Sequence, residues 1–238
     1  MEGVVIPVDE ICATITDSPW IWAQLNRAAI EQSFAQARRE NPALFNGRVT
    51  MLGSARMEAG RCTAELVGAD FAAFLHWRRT GQPDPTVAGT GVSAVLRSAE
   101  GHIVVGRAAA HTVNAGKTYL IAGMIDVADA DPSGRVDIRQ VARRELVEEA
   151  GPVAGEAAAA AGLWLVRERM WTTFAAEFRS SLPGARLLAA IRAHLDRQAA
   201  PELDLVRLVT TVRQARDQPL LGHARLLIEA VLGREAGC

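Results

Sequence analysis

Lysine is almost absent from this 238-residue chain: among 26 basic residues only Lys117 is a lysine. With alanine abundant throughout, this reads as the composition of a GC-rich, bacterial genome. The balance of 26 basic against 27 acidic residues leaves a formal charge of -1, so no excess of positive charge exists to draw nucleic acid or an anionic membrane. Cysteine is scarce too. Cys12, Cys62 and Cys238 lie far apart with no CxxC pair, which excludes a disulfide framework and a cysteine-built zinc site and fits a reducing cytoplasm. No apolar run reaches the length of a membrane span, and the opening MEGVVIPVDEICATI has no basic export region, so neither membrane insertion nor export is expected. What is plentiful is hydrophobic residues, at 49%, enough for a large packed core. A small-molecule partner is the expectation.

The pattern along the chain alternates strands and helices. VVIPVDEICATI reads as one strand, Asp17-Ser18-Pro19 as the start of a helix running to about Glu40, and Asn41-Pro42 as its end. Strands are expected around Val49 to Leu52 and Cys62 to Leu66, then a short helix from Phe71 to Trp77. The Gly/Pro/Asp-rich segment TGQPDPTVAGTG, 80–91, marks an internal boundary, dividing a strand-helix extension, 1–85, from a catalytic-type domain, 86–238. Beyond it come strands at Val92 to Leu96 and Ile103 to Gly106 joined by the turn Ala99-Glu100-Gly101, and a strand at Tyr119 to Ile121. Next are a helix from Ile138 to Ala150, strands at Leu163 to Arg169 and Thr173 to Phe178, a helix from Pro183 to Arg197, a strand near Leu205 to Val209 and a helix from Gly222 to Leu232.

The chemistry concentrates at 144–151, Arg-Glu-Leu-Val-Glu-Glu-Ala-Gly. On a helix Glu145, Glu148 and Glu149 stand at i, i+3 and i+4, on neighbouring turns of one face. Like charges so placed repel unless a cation intervenes, and hard carboxylate oxygens suit Mg²⁺ or Mn²⁺. The supporting helix is well specified: Asp137 can cap it, Ile138, Val141, Ala142 and Leu146 form its apolar stripe, and Gly151-Pro152 ends it. The bland alternative is a solvated acidic helix face.

The run RELVEEAG resembles the central REUxEExGU portion of the Nudix box, where U is a bulky aliphatic residue. The resemblance implies an α/β fold of the α/β/α sandwich type with a mixed sheet, and cleavage of the phosphoanhydride bond of a nucleoside diphosphate linked to another moiety. It implies metal at Glu145, Glu148 and Glu149, with Glu148, Glu149 and Arg144 as the catalytic group and Arg144 orienting one carboxylate. Glu177, on a strand after the helix, and Asp126, in the loop before it, are additional candidates. The upstream half of the box departs from the pattern: its glycine and glutamate positions hold Ala130 and Val136. Gly123 fits the glycine only with about seven inserted residues within VADADPSGR, and Asp137, Asp126 and Asp129 are candidates to replace the glutamate. The alternative function is a nucleotide-sensing or protein-binding module of weak or no activity. The segment NPALFNG, 41–47, is faintly similar to the long N-terminal region of UDP-sugar-hydrolysing members, and nucleotide sugars and ADP-ribose head the substrate classes. Trp164 and Trp171 are candidates to stack on a base, and Arg107, His111 and Lys117 to contact phosphate. Homodimers are common in the family, but no feature here singles out an interface.

Overall fold

Asp9 divides the opening apolar stretch in two. In the computed structural model, which describes residues 3–235, β1 (Val4–Val8) and β2 (Glu10–Thr16) run in different parts of one sheet. The expectation of a single strand there is corrected: β1 is an edge strand paired antiparallel with β10, while β2 pairs with β4 and β9. Pro7 explains part of this, since a residue without an N–H is tolerated at a sheet edge but not in a doubly paired strand.

The helix expected to run unbroken to Glu40 is also divided. Trp20, not the Asp17-Ser18-Pro19 group, stands at its N-cap, and α1 (Ile21–Leu25) stops at Asn26 before α2 (Arg27–Glu40) begins. Asn26 breaks it by turning its side-chain amide back onto the Trp22 carbonyl at 2.8 Å, the local competition with the backbone to which this residue is prone.

A long hairpin follows, β3 (Arg48–Glu58) and β4 (Arg61–Asp70), closed by Ala59 and Gly60, both at positive φ as the favoured two-residue turn requires. After α3 (Phe71–Arg79) the chain enters β5 (Ala88–Arg97), the central strand, and then β6 (Ile103–Ala108), β7 (Thr118–Tyr119) and β8 (Ile121–Gly123). A 3-10 turn, Val127–Asp129, and β9 (Arg135–Val136) lead to α4 (Ile138–Ala150) and the short α5 (Pro152–Gly155). The chain ends with β10 (Ala158–Glu168), β11 (Trp171–Arg179), α6 (Gly184–Leu195), β12 (Leu203–Val209), α7 (Val212–Arg216) and α8 (Gly222–Glu235).

Among the described residues the strands form one mixed sheet, ordered β1-β10-β11-β5-β3-β4-β2-β9, with β6, β7, β8 and β12 attached beside β5. The β11–β5 and β2–β4 pairs are parallel and the others antiparallel, so the expected α/β class with a mixed sheet is what the chain forms. Helix α4 packs on β5, β8 and β11, and α8 on β1 and β10.

The stretch before residue 85 shares this sheet and this core. Leu66 on β4 and Leu146 on α4 belong to one buried apolar cluster. The segment 80–91 is tied down by Asp84, whose carboxylate accepts from the Trp20 indole at 2.8 Å and whose carbonyl accepts from Trp77 at 3.0 Å. Among the described residues no helix is long and apolar enough to cross a membrane. Cys238 lies outside the described residues.

Because Leu66 is fully buried in a core common to both halves of the chain, Leu66→Ala should cost about 2–5 kcal/mol in urea unfolding. Tryptophan fluorescence and far-UV circular dichroism should shift together; a separate transition for one half would contradict the shared core.

Candidate active site

Helix α4 forms where the pattern places it and for the reasons the pattern contains. Asp137 accepts from the backbone N–H groups of Arg139 and Gln140 at 2.9 and 3.2 Å, satisfying two of the donors that a helix start leaves open. Gly151 ends the helix at φ 89°, a conformation in which other residues are strained. The buried face carries Ile138, Val141, Ala142, Leu146 and, between them, Glu145 and Glu149.

Two carboxylates one turn apart are therefore inside the protein, each about 5% exposed, while Glu148 between them reaches solvent. A solvated acidic face is thereby excluded for this pair. Burial, offset in part by Arg144, pushes the Glu145 carboxyl up to about 7. Burial and then the charge of Glu145 push Glu149 well above the ordinary carboxylate range. Its visible support is a long contact from the Ala122 N–H at 3.4 Å. Charged groups so placed need a counter-charge.

Arg144 supplies one. Its guanidinium meets Glu145 at 2.9 Å, Glu148 at 3.0 Å and Asp129 through two bonds of 3.0 and 3.1 Å. Of the candidate carboxylates Asp126, Asp129 and Asp137, Asp129 is the one bonded to Arg144. Asp137 is committed to capping, and Asp126 caps the 3-10 turn by accepting from Ala128 at 2.7 Å. Neither reaches the carboxylate group.

Gly123, on β8, faces the Glu145 carboxylate so closely that a Cβ there would overlap it. The chain between Gly123 and α4 folds as the 3-10 turn and β9.

Glu177 is not brought to the group. It lies buried on β11, paired with Arg179 at 2.9 Å and Arg97 at 3.7 Å. Sequence reasoning missed Glu202, which precedes β12 and lines a cavity of about 220 Å³ together with Glu145, Glu148, Glu149, Gln198 and Ala200. Nothing local announces Glu202; only the pairing of β12 with β6 brings it here. Helix α6 and the turn after it clamp the far end of α4, with His194 and Gln198 both on the Glu148 carbonyl at 3.1 and 3.0 Å.

Glu202 also borders a larger cavity of about 460 Å³. Its wall includes Ala122 and Gly123 from β8, Gly91 and Ser93 from β5, Trp171 and Thr173 from β11, and the stretch Asn41 to Phe45. Trp171 is held by its N–H bond to Thr173 at 2.9 Å and by stacking on His223, 6.1 Å between ring centres. Trp164 is core. His111 lines the cavity, whereas Arg107 is paired with Asp204 at 2.7 Å.

No protein-family model and no curated protein matches the sequence. Among solved structures, the chain is similar to the MutT protein from Methanosarcina mazei Go1, at 20% identity over 63% of this chain and 95% of that one, TM-score 0.42. It is similar to RenU, a Nudix hydrolase from M. Smegmatis, at 18% identity over 63% and 86%, TM-score 0.40. It is also similar to the NUDIX domain of Shewanella oneidensis NrtR, solved with ADP ribose, at 17% identity over 68% and 97%, TM-score 0.40. The carboxylates, not these likenesses, carry the functional reading.

The buried pair makes stability depend on pH in a stated direction. Both carboxyls are raised above the 4.5 they have when free, so their contribution is full below that value; the Glu145 part is lost as pH rises through about 7, and the Glu149 part as pH rises through its own raised range. In metal-free solution, urea unfolding should show stability falling between about pH 5 and pH 8, and falling less in Glu149→Gln, which cannot ionise. A profile identical in the two proteins would contradict the assignment.

Proposed function

We propose that the chain is a metal-dependent pyrophosphohydrolase, cleaving the P–O–P bond of a nucleoside diphosphate joined to another moiety such as a sugar. The observation that carries this reading is the burial of Glu145 and Glu149 side by side, with Glu148 and Glu202, beside a cavity with aromatic walls.

The donor set fits a hard divalent cation, Mg²⁺ or Mn²⁺. Carboxylate oxygens are its preferred ligands, and two of them stand where burial opposes ionisation unless positive charge is added. No group of three acidic, histidine or cysteine side chains among the described residues forms a ready-made cage. The cation would accordingly be held by one or two of Glu145, Glu148 and Glu149, with water and the substrate's phosphate oxygens completing its shell. When bound, it supplies charge neutralisation at the phosphoryl oxygens and lowers the pKa of water.

The protein's own residues have separable tasks. Arg144 holds Glu145 and Glu148 in place and is itself held by Asp129. Gly123 leaves room for Glu145, and β8 presents the Ala122 N–H to Glu149. Glu202, at the junction of the two cavities, is the acidic group best placed to accept a proton from the attacking water. The larger cavity would receive the nucleoside.

A panel of nucleotide sugars, ADP-ribose, NADH, dinucleoside polyphosphates, coenzyme A and nucleoside triphosphates, incubated with Mg²⁺ or Mn²⁺, tests this by release of monophosphate. Turnover is expected on at least one member, lost in Glu149→Gln. Metal-dependent stabilisation by a nucleotide without turnover on any member would favour a sensing module instead. Asp129→Ala, which frees Arg144, should lower turnover about 10- to 100-fold with the fold retained; an unchanged rate would remove Asp129 from the account.

A further inference from the structure

The larger cavity has an unequal distribution of hydrogen-bonding character. Its wall on the side of the N-terminal stretch is made by Leu44, Phe45, Phe71 and Phe74, planar or apolar groups suited to a ring face. In that wall stands Arg78, at the end of α3. Its guanidinium donates to the Asn114 side-chain oxygen at a long 3.4 Å, and among the described residues no carboxylate lies within ion-pair distance of it. Two of the other polar side chains around the cavity are already engaged. The Asn41 amide donates to the His111 carbonyl at 2.9 Å and accepts from Ala43 at 3.1 Å, and the Thr173 hydroxyl oxygen accepts from Trp171. Packing around the guanidinium also lowers the Arg78 pKa, although the residue keeps part of its surface in solvent.

A guanidinium offers donors and no acceptor, so the hydrogen bonds it makes in its own plane go to oxygen or nitrogen lone pairs. Resting on the nucleotide reading above, we infer that Arg78 reads the edge of the substrate's base and selects bases presenting a carbonyl oxygen over those presenting an amino group at the same position. A carbonyl oxygen accepts from the guanidinium; an amino group turns N–H toward N–H and leaves both without partners, which a partly desolvated site penalises heavily. The residues that choose the substrate would then come from the first 85 of the chain and those that cut it from the remainder.

Two pairs of ligands carry this exchange: UMP against CMP, and IMP against AMP, a carbonyl beside a ring N–H in the first of each pair standing where the second has an amino group beside a ring-nitrogen lone pair. Binding is measured by isothermal titration calorimetry on the full chain, so the readout does not require turnover. UMP and IMP should each bind about tenfold or more tightly than their amino counterparts. Arg78→Ala should bring each pair to within about twofold of parity, chiefly by weakening UMP and IMP, and Arg78→Lys should restore part of the preference. Arg78 is at the surface of α3, so circular dichroism of both variants should match the parent. Equal affinities within both pairs in the parent chain, or a loss in Arg78→Ala that is the same for all four ligands as a phosphate contact would give, overturns the inference. Either result leaves the hydrolase reading standing, because that reading fails only if the metal-dependent panel shows no turnover.

Discussion

Two like charges on consecutive turns of one helix, both turned into the protein, set the terms for everything around them. Glu145 and Glu149 would each be more stable in water, and placing them together compounds the cost. A single guanidinium, Arg144, faces Glu145, Glu148 and Asp129 at once, so the group carries more negative than positive charge even before Glu149 and Glu202 are counted. Such an excess is stable only if carboxyls take up protons or a cation joins them. On the function proposed above Mg²⁺ takes the second course, and its binding would convert an unfavourable arrangement into a site.

The surrounding fold is arranged to hold that group still. Asp137 and Gly151 fix the two ends of α4, Leu146 and its apolar neighbours anchor the helix on β5, β8 and β11, and α6 grips the Glu148 carbonyl. Gly123 lets the sheet approach the Glu145 carboxylate more closely than any residue with a side chain would. The central strand carries its own glycines, Gly89 and Gly91, beneath Trp171, so that the indole can lie against the sheet and form part of the cavity wall. Rigid support on one side and an open cavity on the other is the arrangement that a positioned reaction needs.

Much of this was legible in the linear pattern, and the limits of legibility have physical causes. Helix α4 was readable to the residue because its cap, stripe and stop are all local signals, and the same holds for the turn at Ala99 to Gly101. The division of the opening strand at Asp9 was not readable, because whether a strand continues depends on which partners it finds, and β1 and β2 find theirs far apart in sequence. The role of Asp129 depends on how an inserted loop folds back on α4, and that of Glu202 on the β12–β6 pairing. The carboxylates of α4 could be named from spacing, but spacing alone did not separate a buried pair from an exposed neighbour. Glu177 shows the converse: a carboxylate on the expected strand is absorbed by Arg97 and Arg179.

The measurement that bears most directly on the central claim is Mn²⁺ binding followed by electron paramagnetic resonance at about pH 8, where ionisation of Glu145 is favoured. The account predicts that the chain binds Mn²⁺, that Mg²⁺ competes for the same site, and that Glu149→Gln weakens binding about tenfold or more while leaving the fold intact. An absence of bound Mn²⁺ at that pH, or equal binding in Glu149→Gln, would contradict it.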